Sequence, residues 1–272
     1  LMLKGRIHTD FVQYGAETGR FSSRNPNLQN VPAPHTANGK AIRNLFVAPE
    51  GCSLVVADYS QIEPRVIASF SQDRIMCNAY LNGEDIYTTI GDTMGVDRKA
   101  GKVLVLSLAY GVGPDKISSS IGCTLAEARD LLDAFVAKFP SVARYKRQVI
   151  SESRRQAPIP FVSTLLKRRR YLPDLRSNEI WKRSRAERQA FNTVIQGSAA
   201  DLMKLAMIRA HKMVPTEASL ILTVHDELVT VTPTELAEET AHQIRLAMEG
   251  IQALTVPLLA DITTVKRWGE AK

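Results

Sequence analysis

Apolar residues recur along this chain in two rhythms. Short β-branched runs stand toward either end: Leu54-Val55-Val56-Ala57, then Leu220-Ile221-Leu222-Thr223-Val224, residues 228–232, and a last run near 258–265. Runs of that length and composition read as buried strands. From about 72 to 155 the rhythm is helical, most clearly over 125–139 and 142–154. Pro158, Pro160 and Pro173 break the middle into extended pieces around a basic run, Lys167-Arg168-Arg169-Arg170. A long helix is expected over 183–211 and another over 234–248. Before residue 70, strand-like stretches alternate with polar loops such as Ser22-Ser23-Arg24-Asn25-Pro26-Asn27. The pattern predicts an α+β protein, a strand-rich platform built from both ends of the chain with a helical insertion between them.

Two of the strand-like runs finish on acids. Asp58-Tyr59-Ser60-Gln61-Ile62-Glu63 follows the first, and His225-Asp226-Glu227 follows the second as the turn of a hairpin. Acids where buried strands emerge can meet in space although far apart in sequence. Close carboxylates repel, and one tends to take up a proton unless cations lie between them. Two divalent metals held about 3.5–4 Å apart supply such cations, and pairs of that kind run phosphoryl transfer. Alone, an Asp at a strand end is more often a turn former or helix cap than a metal ligand, because it hydrogen-bonds nearby backbone.

Composition narrows the classes. The 272 residues suffice for a full core, and 35 Lys+Arg against 28 Asp+Glu give a net charge of +7, which suits a polyanionic partner. Cys52, Cys77 and Cys123 are widely spaced, so they read as buried thiols of a reducing compartment and not as a disulfide framework or zinc site. No apolar run approaches the roughly 18 residues that span a bilayer. No signal-peptide pattern opens the chain, and Leu1 together with the strand-like Arg6-Ile7-His8-Thr9 suggests a piece of something longer.

Arg98, Lys102, Leu106 and Tyr110 recur every four residues and so share one helix face over roughly 18 Å. The cationic end suits phosphate oxygens and the far end a sugar and base. The alternative is a helix with a solvated basic start and a buried end. Arg188, Asn192 and Gln196 repeat the spacing on the later helix, suited to a nucleic-acid groove or to plain solvation. Glu63 has two readings as well. It closes a capping box with Ser60, or it serves a substrate, and Pro64 argues against the box.

Taken together these segments resemble DNA polymerase family A, over nearly the whole chain. Thr18-Gly19-Arg20-Phe21-Ser22-Ser23 with Pro26-Asn27-Leu28-Gln29-Asn30-Val31-Pro32 resembles the segment that follows primer and template. Asp58 to Arg65 resembles the first metal motif, and Val224-His225-Asp226-Glu227 the second. Arg98, Lys102, Tyr110 and Gly111 match the fingers helix; Arg188-Gln189-Ala190-Phe191-Asn192 with Gln196-Gly197-Ser198-Ala199-Ala200-Asp201 matches the helix entering the palm. The resemblance implies a palm with an antiparallel sheet (1–71 and 183–272) and mainly helical fingers (72–182), with nothing resembling the family's thumb or exonuclease.

It also implies a template-directed DNA polymerase that needs two Mg²⁺. Asp58 and Asp226, helped by the Tyr59 carbonyl, would hold the metals, with Glu227 beside them in the catalytic set. Tyr59, Gln61, Glu63, Arg98, Lys102, Leu106 and Tyr110 would bind the deoxynucleoside triphosphate, Glu63 excluding a ribose 2′-hydroxyl. Arg20, Asn27, Gln29, Arg188, Asn192, Gln196 and His225 would contact primer–template DNA. A thumb and exonuclease portion or accessory replication factors are implied partners, no membrane is, and the implied location is the cytoplasm of a bacterial or phage-infected cell. A two-metal nuclease and a non-catalytic DNA-binding remnant are the alternatives. Three positions depart from the family: Leu106 where Phe or Tyr is usual, Pro64 for Leu, and Lys167 for Gly, where the loop is expected to bend differently.

Overall fold

The computed structural model describes residues 2–3 and 5–271; Leu1, which bears on where the chain starts, lies outside them. In chain order the elements are β1 (Met2–Leu3), β2 (Arg6–Ile7), β3 (Asp10–Val12), β4 (Ser22–Arg24), α1 (Ala37–Arg43) and β5 (Cys52–Tyr59). Then come α2 (Ile62–Ser71), α3 (Arg74–Leu81), α4 (Ile86–Met94), α5 (Arg98–Tyr110), α6 (Pro114–Ile121), α7 (Leu125–Lys138) and α8 (Pro140–Arg155). A small hairpin, β6 (Phe161–Ser163) and β7 (Arg169–Tyr171), precedes α9 (Ile180–Met213). The chain closes with β8 (Ser219–Val224), β9 (Glu227–Pro233), α10 (Ala237–Glu249) and β10 (Ala260–Val265). It divides into two compact units: Leu1–Ser60 with Ala200–Ala253 and Leu258–Lys272, and Gln61–Ala199 with Leu254–Pro257.

The first unit is built on a four-stranded antiparallel sheet in the order β10-β5-β9-β8. The apolar run of β5 explains its central place, since Leu54, Val55, Val56 and Ala57 are all buried and can be covered on both faces. Side chains alternate across a strand. Leu54 and Val56 pack with Leu222, Val224, Val229 and Trp268 on one face. On the other, Tyr59 donates its hydroxyl hydrogen to the carbonyl of Met248 in α10 at 2.8 Å. Fully burying each of these aliphatic side chains is worth about 1.5–3 kcal/mol. In β8 the register shifts between Leu220 and Leu222, leaving Ile221 exposed. That one-residue bulge restores apolar phase for the last residues of the strand.

The second unit is a helical assembly whose buried centre includes Tyr80, Ile86, Ile90, Leu104, Ile117, Phe135, Phe139 and Phe191. Its helices are capped by short acids and hydroxyls: Asp73, Asp85, Asp97 and Thr124 each accept a backbone N–H at the start of α3, α4, α5 and α7. Gly101 lets α5 close on α4, because a Cβ there would lie 2.3 Å from the Tyr87 carbonyl oxygen. Gly111 ends α5 at φ 63°, with the aliphatic stem of Arg188 where a Cβ would be.

Most expected elements appear with shifted ends. The helix expected from 183 begins at Ile180, the helical stretch over 125–139 stops at Lys138 because Pro140 opens the next helix, and the last strand starts at Ala260. Pro64 sits in the first turn of α2, where its missing N–H deprives no carbonyl of a partner. At Lys167 the loop takes a left-handed bend: Lys167 holds φ 65°, and its N–H bonds the Thr164 carbonyl at 3.0 Å. A left-handed residue with a Cβ costs about 1–2 kcal/mol, and the extra unfolded freedom of glycine returns only part of it. Lys167→Gly is therefore expected to raise the thermal midpoint by about 2 °C. A calorimetric scan showing no rise would mean that the Lys167 side chain itself holds the loop.

Candidate active site

Strand register assembles the acids of the first unit. Asp58, near the end of β5, pairs with Glu227 of β9 on one side and Asp261 of β10 on the other. The β8–β9 turn adds Asp226, fixed because its carbonyl accepts the Tyr59 N–H at 3.1 Å. His225 makes this turn at φ 54°, a left-handed conformation that costs a non-glycine residue about 1–3 kcal/mol. Asp58, His225, Asp226, Glu227 and Asp261 line one cavity of about 290 Å³, together with Arg43. Asp261 was not expected from the sequence. Its signal was present, since Leu258-Leu259-Ala260 precedes it as apolar runs precede the other two acids.

The charge there is partly balanced by cations. Arg20 approaches Asp226 at 3.4 Å and Arg43 approaches Glu227 at 3.5 Å. Glu227 also accepts the Trp268 indole N–H at 2.8 Å, while the Arg43 guanidinium lies 4.0 Å from the centre of that ring. Burial raises the Glu227 carboxyl above its ordinary range, and Arg43 and the Trp268 N–H oppose that rise. Burial, then the Arg20 charge, lowers His225 below its ordinary value, keeping the imidazole neutral near pH 7.

Among the described residues no group of three or more His, Cys, Asp and Glu is already arranged around a metal position. Mg²⁺ asks for less, since it is commonly held by one or two carboxylates with waters and substrate phosphates. Asp58 and Asp226 on one cavity supply that all-oxygen set and fit it. Glu227 fits less well, because both of its oxygens are engaged by Trp268 and Arg43.

Around this cavity, Gln29 is buried and donates to the Thr223 carbonyl at 3.2 Å, and the Asn27 side chain caps a short 3-10 turn by accepting the Gln29 N–H at 3.1 Å. Arg20 and Gln29 share a smaller hollow with Phe21, Lys204 and His225.

The second unit carries the four-residue row on α5. Arg98 pairs with Asp85, and both Arg98 and Lys102 lie over the Tyr87 ring, at 5.4 and 5.8 Å. Leu106 is half-buried. Tyr110 donates its hydroxyl hydrogen to Glu63 at 2.6 Å. The capping-box reading of Glu63 is corrected: Gln61, at φ 55°, is the N-cap of α2 and provides no side-chain cap bond, so Glu63 has no cap to complete. Gln61 instead donates to Asp85 at 2.8 Å and accepts from the Tyr80 hydroxyl at 3.3 Å. Burial works against the charged form of Asp85, but hydrogen bonds from Arg98, Thr88 and Gln61 outweigh it and lower the carboxyl to about 2. On α9, Asn192 and Gln196 are half-buried, and the Asn192 side-chain oxygen is buried without a hydrogen-bond partner. Neither Asp85 nor Tyr87 stood out in the sequence, because nothing in the spacing of a cap residue announces a second task.

Comparison with known proteins gives a consistent result. A family model described as DNA polymerase family A matches residues 2–270. The thermostable DNA polymerase I of Thermus aquaticus is 40% identical over 278 residues, covering 98% of this chain and 33% of its own length. DNA polymerase I of Deinococcus radiodurans is 37% identical, covering 98% of this chain and 29% of its own. Among solved structures, the POL domain of Pol1 from M. smegmatis in complex with DNA primer-template and dNTP aligns with a TM-score of 0.90 at 36% identity, over 98% of this chain and 49% of that one. The chain spans about a third of the length of the curated relatives it matches.

The Trp268–Glu227 bond yields a pH-dependent expectation. With its pKa raised in the fold, Glu227 keeps its proton longer in the native than in the unfolded chain, so its ionisation lowers stability as pH rises above 4.5 toward the raised value. The indole N–H limits that loss. Trp268→Phe is expected to cost about 1.5–3 kcal/mol at pH 7 and visibly less near pH 4. Equal losses in urea titrations at the two pH values would show that packing of the ring, and not its N–H, is what matters.

Proposed function

The chain belongs to DNA polymerase family A, and from that premise we propose that it is the catalytic portion of a template-directed DNA polymerase. The reaction is addition of deoxynucleotides to a primer 3′-hydroxyl with release of pyrophosphate. The observation that carries this reading is that Asp58 and Asp226 line a single cavity. Its partners are then primer–template DNA and deoxynucleoside triphosphates, which the M. smegmatis domain's complex with both supports. Residues 1–71 and 183–272 are proposed as palm and 72–182 as fingers.

Asp58 and Asp226, with the backbone carbonyl of Tyr59, would hold two Mg²⁺. When bound, such a pair acidifies the attacking hydroxyl and neutralises charge on the triphosphate and leaving pyrophosphate, polymerases being among the enzymes in which paired metals act this way. Phosphoryl transfer asks the protein mainly to position and to stabilise charge. Arg98 and Lys102 then bind triphosphate oxygens, Arg98 through its planar fork and Lys102 as a point charge. Leu106 and Tyr110 continue the face toward sugar and base. Glu63, with the Tyr110 hydroxyl on its carboxylate at 2.6 Å, is fixed in place as the group that leaves no room for a 2′-hydroxyl. Arg20, Asn27, Gln29, Arg188, Asn192, Gln196 and His225 are proposed to hold the primer–template. Donors of this kind in a minor groove meet similar acceptors on every base pair and so test pair shape without reading sequence. The buried, unpartnered oxygen of Asn192 supports a ligand near α9.

Mixing the protein with Mg²⁺, a primed template and four deoxynucleotides should lengthen the primer, and Asp226→Asn should reduce the rate by about 10²–10³-fold or more. Shortening of the primer would favour a two-metal nuclease, and equal rates for both proteins would remove Asp226 from the chemistry. Glu63→Ala should raise ribonucleotide incorporation relative to deoxynucleotide by at least about tenfold, roughly the worth of one steric contact in the transition state. An unchanged ratio in single-nucleotide extension assays would make Glu63 a purely structural partner of Tyr110.

A further inference from the structure

One carboxylate in the second unit makes more bonds than its local task requires. Asp85 caps α4, accepting the Thr88 N–H at 2.8 Å and the Thr88 hydroxyl hydrogen at 3.0 Å. The same group accepts Arg98 Nε–H at 3.0 Å and Nη2–H at 2.9 Å, and Gln61 Nε2–H at 2.8 Å. A carboxylate offers about four lone-pair positions, so five donors saturate it. A helix cap needs one or two. The extra donors come from the residue before α2 and the first residue of α5, two segments that carry triphosphate-binding residues in the function proposed above.

Stability does not account for the arrangement. The Arg98 side chain is 57% exposed, and exposed ion pairs contribute little to folding. Geometry suggests another role. Two parallel N–H bonds along the Nε–Nη2 edge fix the plane of the guanidinium. Arginine has five N–H donors, so the Nη1–Nη2 edge still has two parallel donors to offer a second anion. The Tyr87 ring, 5.4 Å from Arg98 and 5.8 Å from Lys102, bounds the same cation from another side. Gln61, which shares Oδ2 of Asp85 with Arg98 Nη2, is bonded in turn to Tyr80 and stands two residues before Glu63.

We propose that Asp85 is a positioning residue for nucleotide binding: it braces the Arg98 guanidinium so that the opposite edge meets a triphosphate, and ties it to the Gln61–Glu63 segment. The inference rests on the polymerase reading. The carboxylate is itself anchored by the α4 N-terminus, so it orients Arg98 without travelling with it. A simple competitor for Arg98 would have the opposite effect, because its removal would free the arginine for phosphate.

The test is steady-state primer extension with deoxynucleotide titrated against the whole chain and its variants. Asn caps a helix as well as Asp, so Asp85→Asn keeps α4 while removing the charge and the two-oxygen acceptor. Asp85→Asn is expected to raise the deoxynucleotide KM about tenfold with kcat changed by less than about threefold, a split that mere loss of folded protein does not produce. In an Arg98→Ala background the same substitution should change KM by less than about twofold, because the brace has nothing left to hold. Arg98→Lys, which removes the fork and leaves the Asp85 cap untouched, should raise KM to a similar degree and be insensitive to Asp85→Asn; this carries the test should Asp85→Asn alone fail to fold. An unchanged or lowered KM, or a full tenfold effect persisting without Arg98, would overturn the proposal while leaving the polymerase reading intact. No extension by the unaltered chain, with Asp226→Asn indistinguishable from it, would overturn both.

Discussion

The first unit depends on β5 lying inside its sheet. A strand with neighbours on both edges and cover on both faces has its side chains aimed by register, not by rotamer choice. Asp58 is therefore placed opposite Glu227 and Asp261 by the ladders that bury Leu54 to Ala57. The arrangement costs energy, since carboxylates gathered on one cavity repel and burial disfavours their charged forms. Apolar burial along the same strand offsets that cost. Arg20 and Arg43 reduce it further. What such a site gains is a concentrated negative field that suits a divalent cation better than any single acid would.

Glu227 ties the acidic cavity to the end of the chain. Adjacent to Asp226 in sequence and lining the same cavity, it is held by an indole N–H and a guanidinium. Asp226, in the same cavity, meets the Arg20 guanidinium at 3.4 Å. The indole bond joins the C-terminal turn around Trp268 to the acidic cavity.

In the second unit the helix starts carry the organisation. Asp73, Asp85 and Asp97 each begin a helix, yet only Asp85 also gathers an arginine and a glutamine from other segments. Close approach of α5 to α4, permitted by Gly101, is what brings Arg98 within reach of that cap and sets Arg98 and Lys102 over Tyr87. At the far end of α5, Gly111 admits the stem of Arg188 and Tyr110 closes on Glu63. The row on one helix face is thus fixed at both ends by groups outside that helix.

Period and local chemistry were enough to read the elements and the two acidic strand ends. The β-branched run before Asp58, the hairpin around His225 and Asp226, and the four-residue row on α5 depend on interactions between near neighbours, which spacing records directly. Helix ends were read less well, because Pro140 and the start of α9 are decided by packing as much as by propensity. Of the two readings of Glu63, the capping box at Ser60 fails for a related reason: the left-handed Gln61 moves the start of α2 by one residue, and a motif of that length tolerates no shift. Asp261 opposite Asp58, the Trp268 N–H on Glu227, the five donors on Asp85 and the left-handed bend at Lys167 came only from the tertiary structure. Each depends on which distant segments are brought alongside one another, and cross-strand register and helix approach are set by the summed burial of many side chains, a quantity that no local pattern contains.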